Sequence, residues 1–280
     1  MQRIFHTPEG VRDIYSQECS RKQKLQEKLH RVFHQYGFED IETPTFEYFE
    51  VFSKEVGTIP SRELYKFFDR EGNTLVLRPD FTPSVSRACA TYFNPEKEVV
   101  SLCYTGNTFI NNSSFRGRLK ETTQMGVERM GDDSPEADAE ILAMTVECLL
   151  ATGLTEFQVS VGQVDYYKAI FSQTGMSQEE EEELRELISQ KNYFGVEELV
   201  KNKNMDKSLA RVLSQLPQMF GSAEILEKAK SLTDNPQALK AVARLEEIYK
   251  LLKVYGYEKY VTFDFAMLSK YHYYTGIIFQ

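Results

Sequence analysis

The sequence predicts an α+β fold in which antiparallel hairpins are flanked by helices and a helical insertion interrupts the chain. Two segments, 64–80 and 104–128, have the hairpin pattern, because short apolar or alternating runs flank turn-forming residues. Helix patterns follow both hairpins, and residues 166–255 are almost wholly helical in pattern. Hairpins followed by helices argue against a doubly wound parallel sheet.

The first predicted helix covers residues 16–36, where apolar residues recur at helical spacing. Gly37 is a plausible C-terminal stop for it. The strand pattern that follows breaks at Pro44, and a shorter apolar segment comes next. The hairpin at 64–80 turns at the tripeptide 71–73, Glu-Gly-Asn, between two apolar strands.

Two further helix starts are marked by capping residues. Thr82 is a candidate N-cap, with Pro83 at the first helical position. Ser134 caps the second helix in the same way, with Pro135 at its first position. Acidic residues fill the first turn of that helix, and Gly153 follows its end.

The hairpin at 104–128 reads YTGNTFINNSSFRGRLKETTQMGVE and has a polar tip. Such a hairpin usually places its tip over a ligand. The tip carries Arg116, Arg118 and Lys120, whereas the strand that leads to it carries no charge. The ligand for which this hairpin is built is the main question that the sequence raises.

The change of pattern near residue 165 divides the chain. We expect a core formed by residues 1–165 and 256–280, with residues 166–255 as a helical insertion. The chain ends at Gln280, inside or just after a predicted strand, so we expect the C-terminal part of the core to be missing from it.

The composition of 41% hydrophobic and 27% charged residues indicates a soluble globular protein. A formal net charge of −9 argues against nucleic acid as a bulk electrostatic partner, although a local basic groove stays possible. No apolar run approaches the length of a membrane span, and the start lacks the apolar core of a signal peptide. We therefore expect a cytoplasmic protein with no membrane partner.

The four cysteines show no CxxC spacing, so we expect buried, reduced thiols. His30 and His34 form one close pair of histidines at i, i+4. They could in principle share a metal, but the sequence shows no HExxH pattern and no third ligand beside them. We expect them to lie on a helix face, with no metal site and no cofactor.

Two short stretches have chemical content. In LRPDFT, Arg78 and Asp80 share one side of a strand end just before Thr82, so a carboxylate and a hydroxyl there could receive an ammonium group. The alternative is a surface salt bridge plus an N-cap. In TTQMGVE, Gln124 and Glu128 share one strand face with a glycine between them, which suits a small polar cation. An ordinary solvent-facing strand is the alternative.

Taken together, these stretches resemble the catalytic domain of class II histidyl-tRNA synthetases. The resemblance covers nearly all of residues 4–165 and then 257–280, and the helical stretch falls where that family carries its insertion. It implies an antiparallel sheet flanked by helices, and a dimer formed through the region around Pro44. Five segments match in order and roughly in spacing: TPEGVRD, GFEDIETPTFEYFEVF, LYKFFDREGNTLVLRPDFTPSVSR, the hairpin at 104–128 and YYTGIIF.

The resemblance fails at the positions that carry adenylation chemistry. Where those synthetases place an arginine on the ATP α-phosphate, this chain has Ile110, and the acid two residues on is Asn112. A second catalytic arginine aligns with Ser269, and the aspartate that precedes two tyrosines aligns with His272. Loss of both arginines implies that adenylation is lost and that the chain is not an enzyme.

The amino-acid pocket of the family is better kept. The resemblance implies a histidine site with no catalytic residue in it. Its expected members are Asp80, Thr82, Tyr104, Arg118, Gln124, Glu128, Tyr273 and Tyr274. Asp80 is one methylene shorter than the glutamate that the family usually has there, which affects its reach.

A synthetase fold with a histidine pocket but without the catalytic arginines resembles the ATP phosphoribosyltransferase regulatory subunits. That resemblance implies a non-catalytic subunit that activates the short-form catalytic subunit and mediates feedback inhibition by histidine in the first step of histidine biosynthesis. The implied partners are the catalytic subunit, histidine and a second copy of the chain, first in a homodimer and then in a hetero-octamer. Two alternatives stay open: a histidyl-tRNA synthetase, or a non-catalytic synthetase-like paralogue that binds tRNA.

Overall fold

The computed structural model describes residues 5–53, 59–112, 117–203, 205–268 and 274–280 of the 280-residue chain. The chain divides into two compact units. The first unit ends at Asp132, and the second begins at Asp133.

The described residues of the first unit form three α-helices and two three-stranded sheets, and one of the sheets contains the long hairpin. Its elements in chain order are α1 (Ser16–Gln35), β1 (Glu39–Asp40), β2 (Phe46–Tyr48), α2 (Glu50–Ser53), β3 (Lys66–Phe68), β4 (Thr74–Leu77), α3 (Thr82–Tyr92), β5 (Val100–Phe109) and β6 (Glu121–Met130).

Strands β5 and β6 form the predicted hairpin as a continuous antiparallel ladder of ten residue pairs from Val100–Met130 to Phe109–Glu121. Strand β1 joins the outer edge of β5 in parallel, with Asp40 beside Cys103. The second sheet has the order β2-β4-β3, and all of its pairs are antiparallel. The hairpins predicted at 64–80 and 104–128 are therefore both confirmed.

Successive residues of β5 point to opposite faces of the sheet. On one face, Leu102 and Tyr104 pack with Phe81 and Val85 of the α3 region in an apolar core. On the other face, the side chain of Asn107 bonds that of Thr123 at 2.8 Å. Lys22 of α1 also donates to Thr123 on this second face. The hairpin thus separates an α3 side from an α1 side.

Helix α3 begins one residue earlier than its capping pattern predicts. Phe81 is the N-cap and makes no side-chain cap bond, so the prediction that Thr82 caps this helix is wrong. The hydroxyl of Thr82 bonds Glu128 of β6 instead. A long-range partner therefore replaces the local one that the sequence pattern indicates.

The second unit is mostly helical around a four-stranded sheet of order β10-β7-β9-β8. Its elements in chain order are α4 (Pro135–Thr152), β7 (Val159–Gln163), α5 (Val164–Phe171), α6 (Gln178–Ser189), α7 (Tyr193–Asn202), α8 (Lys207–Gln215), β8 (Phe220–Gly221), α9 (Glu224–Ser231), α10 (Pro236–Tyr255), β9 (Val261–Asp264) and β10 (Ile277–Phe279).

The caps predicted for α4 are confirmed. The Ser134 hydroxyl accepts the N–H of Ala137 at 3.1 Å, and Gly153 ends the helix in the left-handed conformation at φ 100°. Arg244 of α10 donates to Asp138 of α4 at 2.7 Å, which joins two long helices of this unit.

Residues 166–255 are helical as predicted, apart from their connecting segments and the two-residue strand β8. They lie in the second unit together with β7, β9 and β10. Their separation from a core of residues 1–165 and 256–280 stays a prediction. No helix among the described residues is long and apolar enough to cross a bilayer.

Candidate functional site

Four of the predicted site residues meet where α3 begins beside β6. The Thr82 hydroxyl donates to Glu128 Oε1 at 2.6 Å, and the Tyr104 hydroxyl lies 3.5 Å from the same oxygen. Asp80 Oδ1 accepts the backbone N–H of Thr82 at 3.4 Å, a long hydrogen bond. We call Asp80, Thr82, Tyr104 and Glu128 the carboxylate cluster.

The register of the hairpin places these residues on one face. Tyr104 pairs with Gly126, and the neighbouring ladder positions place Glu128 on one side of that pair and Gln124 on the other. All three side chains therefore point to the α3 side of the hairpin, as the period of two predicts. Gln124 is partly buried and lies along the same face as the cluster.

An aromatic stack packs against the carboxylate cluster. The ring of Tyr104 stacks on Phe81 with centroids 4.3 Å apart, and the Arg78 guanidinium lies 4.1 Å from the centre of the Phe81 ring. Two glycines make room for this stack. A Cβ on Gly126 would lie 2.3 Å from the Tyr104 hydroxyl oxygen, and one on Gly106 would lie 2.6 Å from Arg78 Nη2.

Arg78 is a structural residue. It is only 7% exposed, so the interpretation as a surface salt bridge with Asp80 is wrong. Its guanidinium donates to the backbone carbonyls of Thr43, at 2.9 Å, and of Asn107, at 2.8 Å. These bonds tie the Pro44 region and β5 together behind the carboxylate cluster.

The two carboxyl groups of the cluster are partly buried. Burial raises the pKa of Glu128, and the charge of Asp80 raises it further against the opposing hydrogen bond from Thr82. Burial also raises the pKa of Asp80. The pKa of the Tyr104 phenol rises because of burial and the charges of Glu128 and Asp80. A cationic ligand would relieve this accumulation of negative charge.

The remaining predicted site residues lie at other places in the chain. Arg118 is exposed near the hairpin tip, and no described hydrogen bond links it to the cluster. Tyr274 belongs to the second unit, where its carbonyl accepts from the Lys168 ammonium at 2.6 Å. Tyr273 and Ser269 lie outside the described residues, as do Arg116 and His272.

The second unit contains a polar cavity of about 550 Å³ beside the segment that follows Tyr274. Several of its charged lining residues contact neighbours. Asp165 accepts the N–H of Gly276 at 2.9 Å, and Arg244 binds both Asp138 and Asp133. These contacts join the C-terminal strand segment to α5, and α10 to the start of α4.

The opposite, α1 side of the hairpin holds a cluster that sequence reasoning missed. His34 Nε2 lies 3.0 Å from one oxygen of Asp40, and His30 Nε2 bonds the other oxygen. Cys103 Sγ donates to Asp40 at 3.5 Å. We call His30, His34, Asp40 and Cys103 the imidazole–thiol cluster.

The expectation that no further potential ligand accompanies the two histidines is therefore wrong. The parallel pairing of β1 with β5 creates this proximity, and no local spacing signals it.

Comparison with known proteins places the chain in a family. The family model described as histidyl-tRNA synthetase matches residues 10–280. The ATP phosphoribosyltransferase regulatory subunit of Thermoanaerobacter pseudethanolicus is 38% identical over 99% of this chain and 72% of its own length. The chain belongs to the histidyl-tRNA synthetase family and, within it, to the ATP phosphoribosyltransferase regulatory subunits.

Other members of this regulatory-subunit family agree. The subunit of Acetivibrio thermocellus is 40% identical over 99% of this chain and 66% of its own length. The chain therefore spans about two thirds of the length of the curated relatives it matches. A crystal structure described as an ATP phosphoribosyltransferase regulatory subunit/histidyl-tRNA synthetase from Bacillus halodurans has a TM-score of 0.90 and 31% identity, over all of this chain and 73% of that one. The predicted synthetase-like fold class is confirmed.

Ile110 and Asn112, which the resemblance aligns with ATP-binding charges, both make local hydrogen bonds in the structure. The backbone N–H of Ile110 donates to the Lys120 carbonyl at 2.9 Å. The side-chain amide of Asn112 donates to the Leu119 carbonyl at 3.3 Å. Both residues thus close the hairpin near its tip.

Proposed function

We propose that this chain acts as a non-catalytic regulatory subunit of ATP phosphoribosyltransferase, at the first step of histidine biosynthesis. In this proposal it activates a short-form catalytic subunit and transmits feedback inhibition by histidine. The supporting observation from the geometry is the Thr82–Glu128 hydrogen bond beside Asp80 and Tyr104. These residues occupy the positions that the synthetase resemblance assigns to the amino group and imidazole of histidine.

The chemistry of the carboxylate cluster suits histidine. Two partly buried carboxyl groups with raised pKa values favour a bound cation, and the α-ammonium group of an amino acid supplies one. Tyr104 and Gln124 on the same face offer a hydroxyl and an amide for an imidazole ring. Coupling between histidine and the catalytic subunit must be reciprocal, so each changes the affinity of the chain for the other by the same factor.

The same proposal assigns no adenylation activity to the chain. Ile110 carries no charge and cannot donate a side-chain hydrogen bond to a phosphate. Loss of one preorganised donor typically costs about 3–4 kcal/mol of transition-state stabilisation, or a factor of roughly 10² to 10³ in rate. A second loss at Ser269 would bring the reduction to about 10⁴ to 10⁶ if the two are independent. No cofactor is assigned, and a cytoplasmic location stays a prediction from the sequence, which shows no pattern of a membrane span or a signal peptide.

Self-association is part of the proposal, and the sheet β2-β4-β3 is the expected contact surface. Phe46 and Tyr48 are 50% and 55% exposed on one face of this sheet, and Phe67 beside them is 37% exposed. The rings of Phe46 and Phe67 pack edge to face, with their centroids 5.7 Å apart. Such an apolar face next to Pro44 fits a homodimer, with a hetero-octamer as the larger assembly.

The decisive experiment mixes the purified chain with a short-form catalytic subunit and measures phosphoribosyltransferase activity with and without histidine. The expected result is co-purification, a rate that rises on mixing and inhibition by histidine. Because the chain spans two thirds of its relatives, the full-length regulatory subunit is the positive control. An unchanged rate with both preparations contradicts the proposal.

The alternative functions are a histidyl-tRNA synthetase and a tRNA-binding paralogue, since the matching family model bears the synthetase description. Robust histidine-dependent ATP–pyrophosphate exchange would favour the first. Tight tRNA binding at moderate salt would favour the second, but the net charge of −9 argues against it.

A further inference from the structure

The imidazole–thiol cluster brings four potential metal ligands together from three elements of the first unit. Its ligand atoms all lie within 4.8 Å of one another. Both imidazoles come from one face of α1, where the i, i+4 spacing is the one by which two helical histidines share a metal ion. The thiol lies on β5 and the carboxylate at the end of β1.

We propose that the first unit binds a zinc ion through four side chains: His30, His34, Asp40 and Cys103. Two imidazole nitrogens, one thiolate and one carboxylate are the ligand types of tetrahedral zinc sites. Bond lengths of about 2.0–2.3 Å place the ligand atoms of such a site about 3.3–3.8 Å apart. Small side-chain rotations would therefore close the cluster around an ion.

The backbone holds the least mobile ligand in place. Asp40 and Cys103 are partners in the β1–β5 pairing, and the Ile41 N–H donates to the Cys103 carbonyl at 2.9 Å. Cys103 is fully buried and forms the floor of the cluster. The side chains of His34 and Asp40 are 46% and 56% exposed, so an ion can enter from solvent and the ligands can adjust.

A metal-free network is the rival arrangement. In it, Asp40 accepts hydrogen bonds from both imidazoles and from the thiol without any ion. The two arrangements differ in what Cys103 does, because only the zinc site needs its thiolate as a ligand. Substitution of Cys103 therefore discriminates between them.

The test titrates zinc into the metal-stripped full chain in histidine-free buffer, because free histidine chelates zinc. Competition with a chromophoric chelator gives the affinity, and cobalt substitution reports the ligands. The expected result is one ion per chain with a dissociation constant below about 1 µM, and a thiolate-to-cobalt charge-transfer band. Cys103→Ser should abolish the band and weaken zinc binding by at least about 10- to 100-fold.

Cys89→Ser is the matched control, since Cys89 is as buried as Cys103 but lies in the apolar core on the α3 side. It should bind zinc as the unmodified chain does. Affinity weaker than about 100 µM, unchanged affinity in Cys103→Ser, or a cobalt spectrum without the thiolate band would overturn the proposal. If Cys103→Ser does not fold, the more exposed His34→Ala replaces it, and unchanged zinc affinity in that variant also overturns the site.

Discussion

The hydroxyl of Thr82 donates to the Glu128 carboxylate at 2.6 Å and joins the first residue of α3 to β6, 46 positions further along the chain. This bond fixes the carboxylate against the helix start. Because Tyr104 approaches the same oxygen, the second carboxylate oxygen of Glu128 is the one that can accept from a ligand.

Substitution of Glu128 tests the proposed histidine site. Glu128→Gln keeps the size and the acceptor for Thr82 but removes the charge. We expect histidine affinity to fall by roughly 10- to 100-fold, because a hydrogen bond to a charged group contributes about 1.5–3 kcal/mol. Isothermal titration calorimetry measures this effect.

Glu121→Gln is the control for that substitution, because Glu121 lies in the same strand on its opposite face and bonds Asn107. It should leave histidine affinity unchanged. Equal affinities for the chain and for Glu128→Gln would remove Glu128 from the site. A fall with both variants would indicate a general effect on β6.

The raised pKa values in the cluster predict a pH effect on stability. A carboxyl group whose pKa is raised by folding contributes stability that is fully present below its unfolded pKa and is lost as pH rises through the raised folded pKa. We therefore expect ionisation of Glu128 and Asp80 to lower the free energy of unfolding as pH rises.

Urea denaturation between about pH 4.5 and 7.5 measures this contribution as the difference between the chain and Glu128→Gln. The variant should gain stability relative to the unmodified chain as pH rises. Added histidine should reverse the trend, because its ammonium group compensates the charge. A difference that does not change with pH would contradict the assignment of a raised pKa to Glu128.

Gly126→Ala tests the close packing of Tyr104. The added methyl group would lie 2.3 Å from the hydroxyl oxygen and 2.5 Å from Cζ of Tyr104, so the ring must move. We expect a loss of about 1–3 kcal/mol in the free energy of unfolding, measured by denaturant titration.

The double variant Gly126→Ala/Tyr104→Ala identifies the cause of that loss. If the clash is responsible, the glycine substitution should cost much less when the ring is absent, so the two effects should not add. Additive losses would show that the cost arises elsewhere.

The proposed self-association depends on the exposed face of the sheet β2-β4-β3. Tyr48→Glu introduces a charge on the exposed aromatic face and should raise the dimer dissociation constant by at least about tenfold. Sedimentation velocity over a concentration series checks this. Phe194→Glu is the control, because Phe194 is 84% exposed on α7 in the second unit. Equal effects of the two variants would contradict a specific interface.

Local signals account for much of the fold that could be predicted. The hairpins, the Ser134 and Gly153 caps of α4 and the long α10 each depend on residues close in sequence, and the structure confirms them. The same reasoning failed at Thr82, because the capping rule could not include a competing acceptor 46 residues away.

Side-chain partners across the sequence could not be predicted in the same way. Arg78 has the appearance of a surface ion-pairing residue in its local sequence, but tertiary contacts bury it against three backbone carbonyls. The proximity of Asp40 and Cys103 to His34 requires the parallel β1–β5 pairing. Strand β1 has only two residues and is too short to show a periodic pattern in the sequence. The shared face of Gln124 and Glu128 follows from alternation alone and was predictable.

Cys103 and Tyr104 are consecutive residues of β5 whose side chains point to opposite faces of the hairpin. The two clusters are therefore back to back, separated by the thickness of a single strand and sharing one peptide group. A one-residue slip of β5 would exchange the thiol for the phenol and destroy both clusters at once. A ligand that displaced this peptide on one face would move the side chain on the other face as well, because the same peptide group joins Cys103 to Tyr104.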